Sequence, residues 1–300
     1  MIGAAAALAP ASHSLLTRGK IASTNFIGIW GMLSFTFRES IRTKWLVVFA
    51  GLFFLIAINT PLYVLSVAYG VAPGDLISNF GLGASLTQAF PLIPLLALPF
   101  GAISIVDDRE SGMLQYLLSN PITKSEFFLG RSLGLLLATS TVIFLSFGGA
   151  AVAVYGSDAT QSAFISITMV IAMLLNAVML ALALIISEIS KRKVTAIGVG
   201  LFAWFLFTTV SDLSTFVNAV NLTVGQIASL SLILLNPVET SRLAMVLAAN
   251  LGNGALGPTG YLATHVLGSY IFPVVLGSVV VWFLVLTALG FAVFMRQDAA

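Results

Sequence analysis

The chain has 300 residues, of which 59% are hydrophobic and only 8% charged, with a formal net charge of +2 and a mean hydropathy of +1.06. That is too little polar surface to cover a water-soluble globule, so composition excludes that class and points to a membrane protein. Cysteine is absent, which excludes disulfides and thiolate metal sites within the chain.

Residues 1–25 start apolar but briefly, and Arg18 and Lys20 follow the apolar part instead of preceding it, a poor pattern for a signal peptide. A mobile tail is expected there. Across residues 26–44, Phe26, Trp30, Leu33, Phe37 and Ile41 recur at helical spacing while Arg38, Glu39, Arg42 and Lys44 lie off that stripe. This predicts an amphipathic helix on the membrane surface, acting either as an elbow that rocks with a neighbouring loop or as a plain anchor.

Six apolar runs follow, at 45–69, 86–106, 132–155, 164–186, 194–210 and 270–294. A bilayer core roughly 30 Å thick takes about 20 residues of helix, which satisfies its own backbone hydrogen bonds, whereas barrel strands would alternate polar and apolar residues. The fold class is therefore all-α, a polytopic membrane protein of six transmembrane helices with short outer helices between the fifth and sixth. Of the thirteen Lys and Arg residues, only Arg242 falls on one side of these runs. The positive-inside rule then puts both termini in the cytoplasm of a multi-pass protein of the cell membrane.

Between the second and third runs lies an inner loop, 107–131, that opens Asp107-Asp108-Arg109-Glu110-Ser111-Gly112. Residues 109–118 predict one short helix with Met113, Leu114, Leu117 and Leu118 on its apolar side, stopped by Asn120-Pro121. Thr123 and Glu126 have capping-box spacing, with Ile122 and Phe127 placed as the hydrophobic staple across it. The chain thus enters the third run through a defined bend.

Several intramembrane polar residues are candidates for an interior path or for helix-to-helix hydrogen bonds: Asn59 and Thr60 before Pro61, Asn176, and Asp212. Pro91, Pro94 and Pro99 predict a kink in the second run, directly above the inner loop. Met169 and Met173 form a close pair at helical spacing, and on an apolar helix they read as packing residues, not Cu(I) ligands. His13 and His265 fall on opposite sides of the membrane. A membrane-embedded hydrolase would need a nucleophile with a base, and His265 has no evident catalytic companion.

The outer region 211–269 is long enough to carry its own structure. Residues 222–235 are apolar but too short to span, and Asn236-Pro237 interrupts them before a helical pattern resumes. Glu239 and Arg242 stand three residues apart on that helix and could present a small charged surface. The alternative is a re-entrant hairpin that closes the outer end of the bundle. Gly and Pro258 in 251–260 mark a turn.

Asp108-Arg109-Glu110-Ser111-Gly112, then Leu117-Leu118-Ser119-Asn120-Pro121 and Leu129-Gly130-Arg131, together resemble the signature of ABC-2 type ABC transporter permeases, approximately E-R-E-x-G-T, L-L, Pro, L-G-K. Asp108, Met113 and Arg131 depart from it mildly. The resemblance implies a six-span permease domain over 45–295, with the inner loop as the ATPase-coupling element and Gly112 permitting close backbone approach. Asp107, Asp108, Arg109, Glu110, Ser111, Gly112, Leu114 and Leu117 are its expected coupling residues. Because no G-x-x-x-x-G-K-[ST] sequence occurs, the chain has no P-loop of its own. ATP and Mg would belong to a separate cytoplasmic ATPase, and no cofactor, metal or nucleic acid is expected on this chain.

A narrower likeness, to NosY-type permeases of the NosFYD copper-maturation system for nitrous oxide reductase, rests on Ala203-Trp204-Phe205-Leu206-Phe207 with Asp212-Leu213 and on Leu234 through Leu243. It implies a second permease copy, the lipid bilayer and an extracytoplasmic NosD-like protein as partners, the last meeting Asn236, Pro237, Glu239 and Arg242. Two other readings share the loop: a generic ABC-2 exporter of a drug, lipid or polysaccharide, and a non-transporting membrane anchor subunit.

Overall fold

The computed structural model describes residues 26–67, 90–119, 122–155, 159–219, 226–248, 265 and 267–296, and the regular structure among them is helical throughout. The expected tail 1–25, the Asn120-Pro121 stop and the turn at 251–260 lie outside the described residues, as do the side chains of Asn59, Thr60, Pro61 and Asp212. In chain order the helices are α1 (Phe26–Ile41), α2 (Lys44–Val67), α3 (Leu92–Glu110), α4 (Met113–Ser119) and α5 (Lys124–Tyr155). They continue as α6 (Ala159–Ile189), α7 (Lys193–Ala219), α8 (Gln226–Leu235) and α9 (Pro237–Ala248). A single 3-10 turn (Gly268–Tyr270) then leads into α10 (Ile271–Arg296).

Helices α2, α3, α5, α6, α7 and α10 lie on the six apolar runs. Among the described residues four stretches are long and apolar enough to cross a membrane: Lys124–Ala150, Ser166–Ile189, Lys193–Val210 and Gly268–Arg296. A fifth arises if Phe26–Ile41 and Lys44–Ile58, bent by 68°, are taken as one broken span. Helix α3 carries four charged residues in its last turn, Asp107, Asp108, Arg109 and Glu110, just where the aqueous boundary would fall.

Helix α6 is the axis of the bundle, packed by α3, α5, α9 and α10. Small residues let these helices approach. A Cβ on Gly101 of α3 would come within 2.7 Å of Ala183 Cβ and 2.8 Å of Leu180 Cδ1 on α6. Asn176 is buried on α6 and donates to Thr139 Oγ1 at 2.8 Å, so it is a helix-to-helix hydrogen bond with α5. Met169 and Met173 pack against the main apolar core, as their spacing suggested. Phe127 and Phe128 of α5 meet Phe294 of α10 with ring centroids 5.7 and 5.4 Å apart, closing the other side.

Helix α1 lies against α5 through a face the apolar pattern does not mark. Met32, Thr36 and Ser40 are buried there, while Phe26, Ile27 and Trp30 point outward. The contact is close because α5 presents Gly130 and Gly134, where added Cβ atoms would fall 2.5 Å from Met32 Cβ and 2.6 Å from Thr36 Cβ. A glycine pair four residues apart is a groove into which another helix backbone fits. In the sequence stripe Phe26, Trp30, Leu33, Phe37 and Ile41, the outermost residues are free to face lipid.

Candidate functional site

The residues singled out in the inner loop divide between two helices. Asp107, Asp108, Arg109 and Glu110 form the last turn of α3 and do not belong to the short helix that follows. The single helix expected over 109–118 is therefore corrected to two, with the break at Ser111-Gly112. Ser111 N–H closes α3 on Asp107 O at 2.9 Å, and Gly112 N–H reaches Arg109 O at 3.2 Å. Gly112 has φ of +75°, the left-handed conformation in which a helix commonly ends and that only glycine adopts without strain. Its role is this corner: a Cβ there would meet nothing within 4 Å, so close backbone approach within the chain is not the reason for it.

The charged turn of α3 is fastened to four other helices. Arg131 on α5 is 5% exposed and bridges two acids: Glu39 Oε2 on α1 at 2.6 Å and Asp108 Oδ2 at 3.1 Å. It also donates to Ser104 O at 3.2 Å. Lys193 at the start of α7 pairs with Asp107 Oδ1 at 2.9 Å. Arg109 donates to Glu188 O at the end of α6 at 3.1 Å. The Ser187 hydroxyl, one residue away, accepts from the N–H groups of both Ile105 and Val106 at 2.9 Å.

Burial raises Asp108 to about 6, since desolvation outweighs the attraction of Arg131 and the neighbouring Glu39 and Asp107 add to the rise. The pair is thus a buried ionic contact whose value lies in geometry more than in net energy.

Beyond that clamp, α4 projects. Leu114 is buried and Leu117 and Leu118 are partly buried on the cluster that holds Phe127 and Phe128, whereas Met113 and Tyr116 are exposed at 39% and 66%. Glu110, Ser111 and Gly112 are exposed as well. Of the eight expected coupling residues, Asp108 and Leu114 face inward. Asp107 and Arg109 are committed to other helices, and the exposed apex is Glu110, Ser111 and Gly112. The capping box forms as its spacing indicated: Thr123 N–H donates to Glu126 Oε2 at 2.9 Å and Glu126 N–H to Thr123 Oγ1 at 3.2 Å. Ile122 and Phe127 lie in the same apolar cluster, so α4 and α5 meet at a fixed angle.

Sequence reasoning missed Arg131 as a bridge, treating it only as the basic end of Leu129-Gly130-Arg131. A lone basic residue one position past a glycine on an apolar helix was the available signal, but its partners lie 92 and 23 residues away.

At the opposite end of the bundle, the residues expected to form a charged outer surface are mostly inside. Asn236, Pro237 and Glu239 are buried, and Arg242 reaches Glu239 Oε1 at 3.1 Å while keeping 23% of its side chain exposed. Asn236 caps α9, accepting from Val238 N–H at 3.0 Å and donating to Phe207 O on α7 at 2.8 Å. Pro237 occupies the first helical position, where its missing N–H costs nothing. Val238, Leu243, Ala244, Met245 and Val246 join the main core. Helix α9 therefore packs into the bundle, with its apolar face better buried than a surface helix would allow.

Residues 32–299 match the family model for the ABC-2 family transporter protein. The chain belongs to the ABC-2 transporter family. Among its relatives, a protein of Pseudomonas aeruginosa named as a probable ABC transporter permease protein NosY is 31% identical over 226 residues, covering 72% of this chain and 80% of the relative. One of the same name from Stutzerimonas stutzeri is 28% identical over 195 residues, covering 62% and 68%. ABC-2 permeases are transport subunits whose ATPase is a separate protein.

Proposed function

We propose that the chain is a NosY-like permease subunit that spans the cell membrane six times with both termini in the cytoplasm. It works as a dimer with a second permease copy and a cytoplasmic ATPase carrying ATP and Mg. Its activity is coupled movement, without bond-making, in the maturation of the copper sites of nitrous oxide reductase. One observation supports coupling above all: α4 hangs from a left-handed Gly112 corner, and the α3 turn directly before it is tied to α1, α5, α6 and α7. A push on the exposed apex at Glu110 to Gly112 would reach all four helices through charge-assisted bonds. Copper enters this reading as cargo or through a partner.

An extracytoplasmic NosD-like partner would meet Arg242 rather than Asn236, Pro237 or Glu239, which are buried. Pull-down of both partners from one detergent extract tests the two halves together. Gly112→Val should leave the chain folded and lose ATPase binding or transport-linked ATP hydrolysis by about tenfold or more, because a β-branched residue disfavours φ of +75° and re-aims α4. Arg242→Glu should keep the ATPase and lose the outer partner. Wild-type coupling in Gly112→Val would remove the coupling assignment. An outer partner retained by Arg242→Glu, or never captured by the wild type, would leave the generic exporter as the better account.

A further inference from the structure

A cavity of about 410 Å³ opens beside the bend between α1 and α2, at the basic end of the bundle. This is within the size range of small-molecule sites. Its polar rim is Glu39, Asp107, Arg131 and Lys193, and its wall includes Trp45, Phe100 and Ile197. The rim charges sum to zero, with two acids and two bases, and they are not used up by one another.

Glu39 engages Arg131 through Oε2 and Asp107 engages Lys193 through Oδ1, so one oxygen of each half-exposed carboxylate is left over. The Lys193 ammonium has three donors and spends one on Asp107. Arg131, 5% exposed and lining the cavity, has a buried Nε–H with no acceptor among the described residues. The site thus offers carboxylate oxygens to a cation and the remaining Lys193 N–H donors, beside the Arg131 charge, to an anion a few ångströms away, above an apolar wall.

We propose that this cavity binds phosphatidylethanolamine from the adjoining leaflet. The lipid phosphate would lie on Lys193 and Arg131, its primary ammonium on Glu39 and Asp107, and its acyl chains along Trp45, Phe100 and Ile197. Clefts between membrane helices on the basic side are suited to headgroups. The balanced rim favours a zwitterion over a purely anionic lipid, and the leftover carboxylate oxygens favour an ammonium that can donate hydrogen bonds over a quaternary one that cannot. The apolar wall, in which Trp45 stays half-exposed, selects a lipid over a water-soluble phosphate. This assignment holds whatever the permease carries.

Native mass spectrometry of the full chain, exchanged into detergent from nanodiscs with equal parts phosphatidylethanolamine, phosphatidylcholine and phosphatidylglycerol, tests it. The wild type should retain phosphatidylethanolamine about tenfold over either competitor. Lys193→Gln should abolish that preference. Ile197→Trp fills the apolar wall without touching any ion pair, so it should do the same in a chain that elutes and melts like wild type. Phosphoethanolamine in solution should not displace the retained lipid. The proposal falls if the wild type holds the three lipids equally, if phosphatidylglycerol is preferred, if Ile197→Trp keeps the preference, or if soluble phosphoethanolamine displaces the lipid.

Discussion

The two ends of this bundle are held together by different chemistry. At the basic end, long charged side chains reach between helices, as when Arg131 joins α1, α3 and α5 and Lys193 joins α7 to α3. At the other end, neutral donors close off backbone carbonyls: Trp204 Nε1–H on Pro91 O at 2.9 Å, Asn236 on Phe207 O at 2.8 Å, and Trp282 Nε1–H on Leu234 O at 3.1 Å. Leu234 O lies in the last turn of α8, where carbonyls lack an intrahelical partner and away from water must find a donor. Pro91 O and Phe207 O accept on a lone pair their own helices leave over. Charge pairs near an aqueous boundary can exchange partners with solvent, whereas a buried carbonyl cannot do without its donor. The first end is therefore suited to rearrangement and the second to permanence.

The strongest way to break the comparison is to remove the shared cation. Arg131→Met strands buried Asp108 at the α1–α3–α5 junction and should lower stability by about 3–5 kcal/mol, the range for splitting a buried pair. Thermal unfolding in detergent would show it, and Asp108→Leu combined with Arg131→Met should recover most of the loss. If the single variant melts like wild type, Arg131 is not the tie the geometry describes.

A smaller effect is expected from the glycine groove beneath it. Gly130→Leu forces a side chain into Met32 and Ile29 O and should cost about 1–3 kcal/mol, with α1 displaced from α5. Gly198→Leu, where nothing lies within 4 Å, is the matched control and should leave the melting temperature nearly unchanged. Equal shifts in both variants would mean the groove is not a seat for α1.

At the permanent end, Asn236→Ala removes the α9 cap and should cost about 1 kcal/mol. Because this end is remote from α4, capture of the ATPase should be unaffected. A lost ATPase in Asn236→Ala would show that the two ends are not separable as described.

The smallest effect is a difference in pH profile. Asp108 has its carboxyl raised from 3.8 to about 6 in the fold, so the folded chain holds the proton more tightly than the unfolded chain. The stability this confers is complete below about pH 4 and is lost as pH rises through 6. Asp108→Asn cannot ionise, so its melting temperature should decline less than that of wild type between pH 4 and 6. Parallel profiles would remove the burial argument.

Much of this architecture was legible in the chain because the signals are local. Apolar run lengths gave the long helices, and the Thr123/Glu126 spacing gave the cap, since both partners lie within one turn. The clamp was hidden because sequence spacing says nothing of which distant acid an arginine meets. Lipid also inverts the usual inference: on α1 the buried face is Met32, Thr36 and Ser40, while aromatic residues face out. At the α8–α9 hairpin, Glu239 and Arg242 resembled a surface pair, but α9 packs its first turn into the bundle and carries the acid inside, where Arg242 pairs with it.

The seat of α1 also sets an order of events during biosynthesis. Thr36 meets Arg131 across a gap of 95 residues, so at ordinary translation speeds α1 leaves the ribosome roughly 5–20 s before the helix it docks on. For that interval the face of Met32, Thr36 and Ser40 is bare, and Glu39 lacks Arg131, the partner it meets in the folded chain. The outward aromatics Phe26 and Trp30 would moor the nascent segment at the membrane surface meanwhile. A truncated nascent chain halted before Gly130 should accordingly show α1 held at the lipid but open to chemical labelling on its other side.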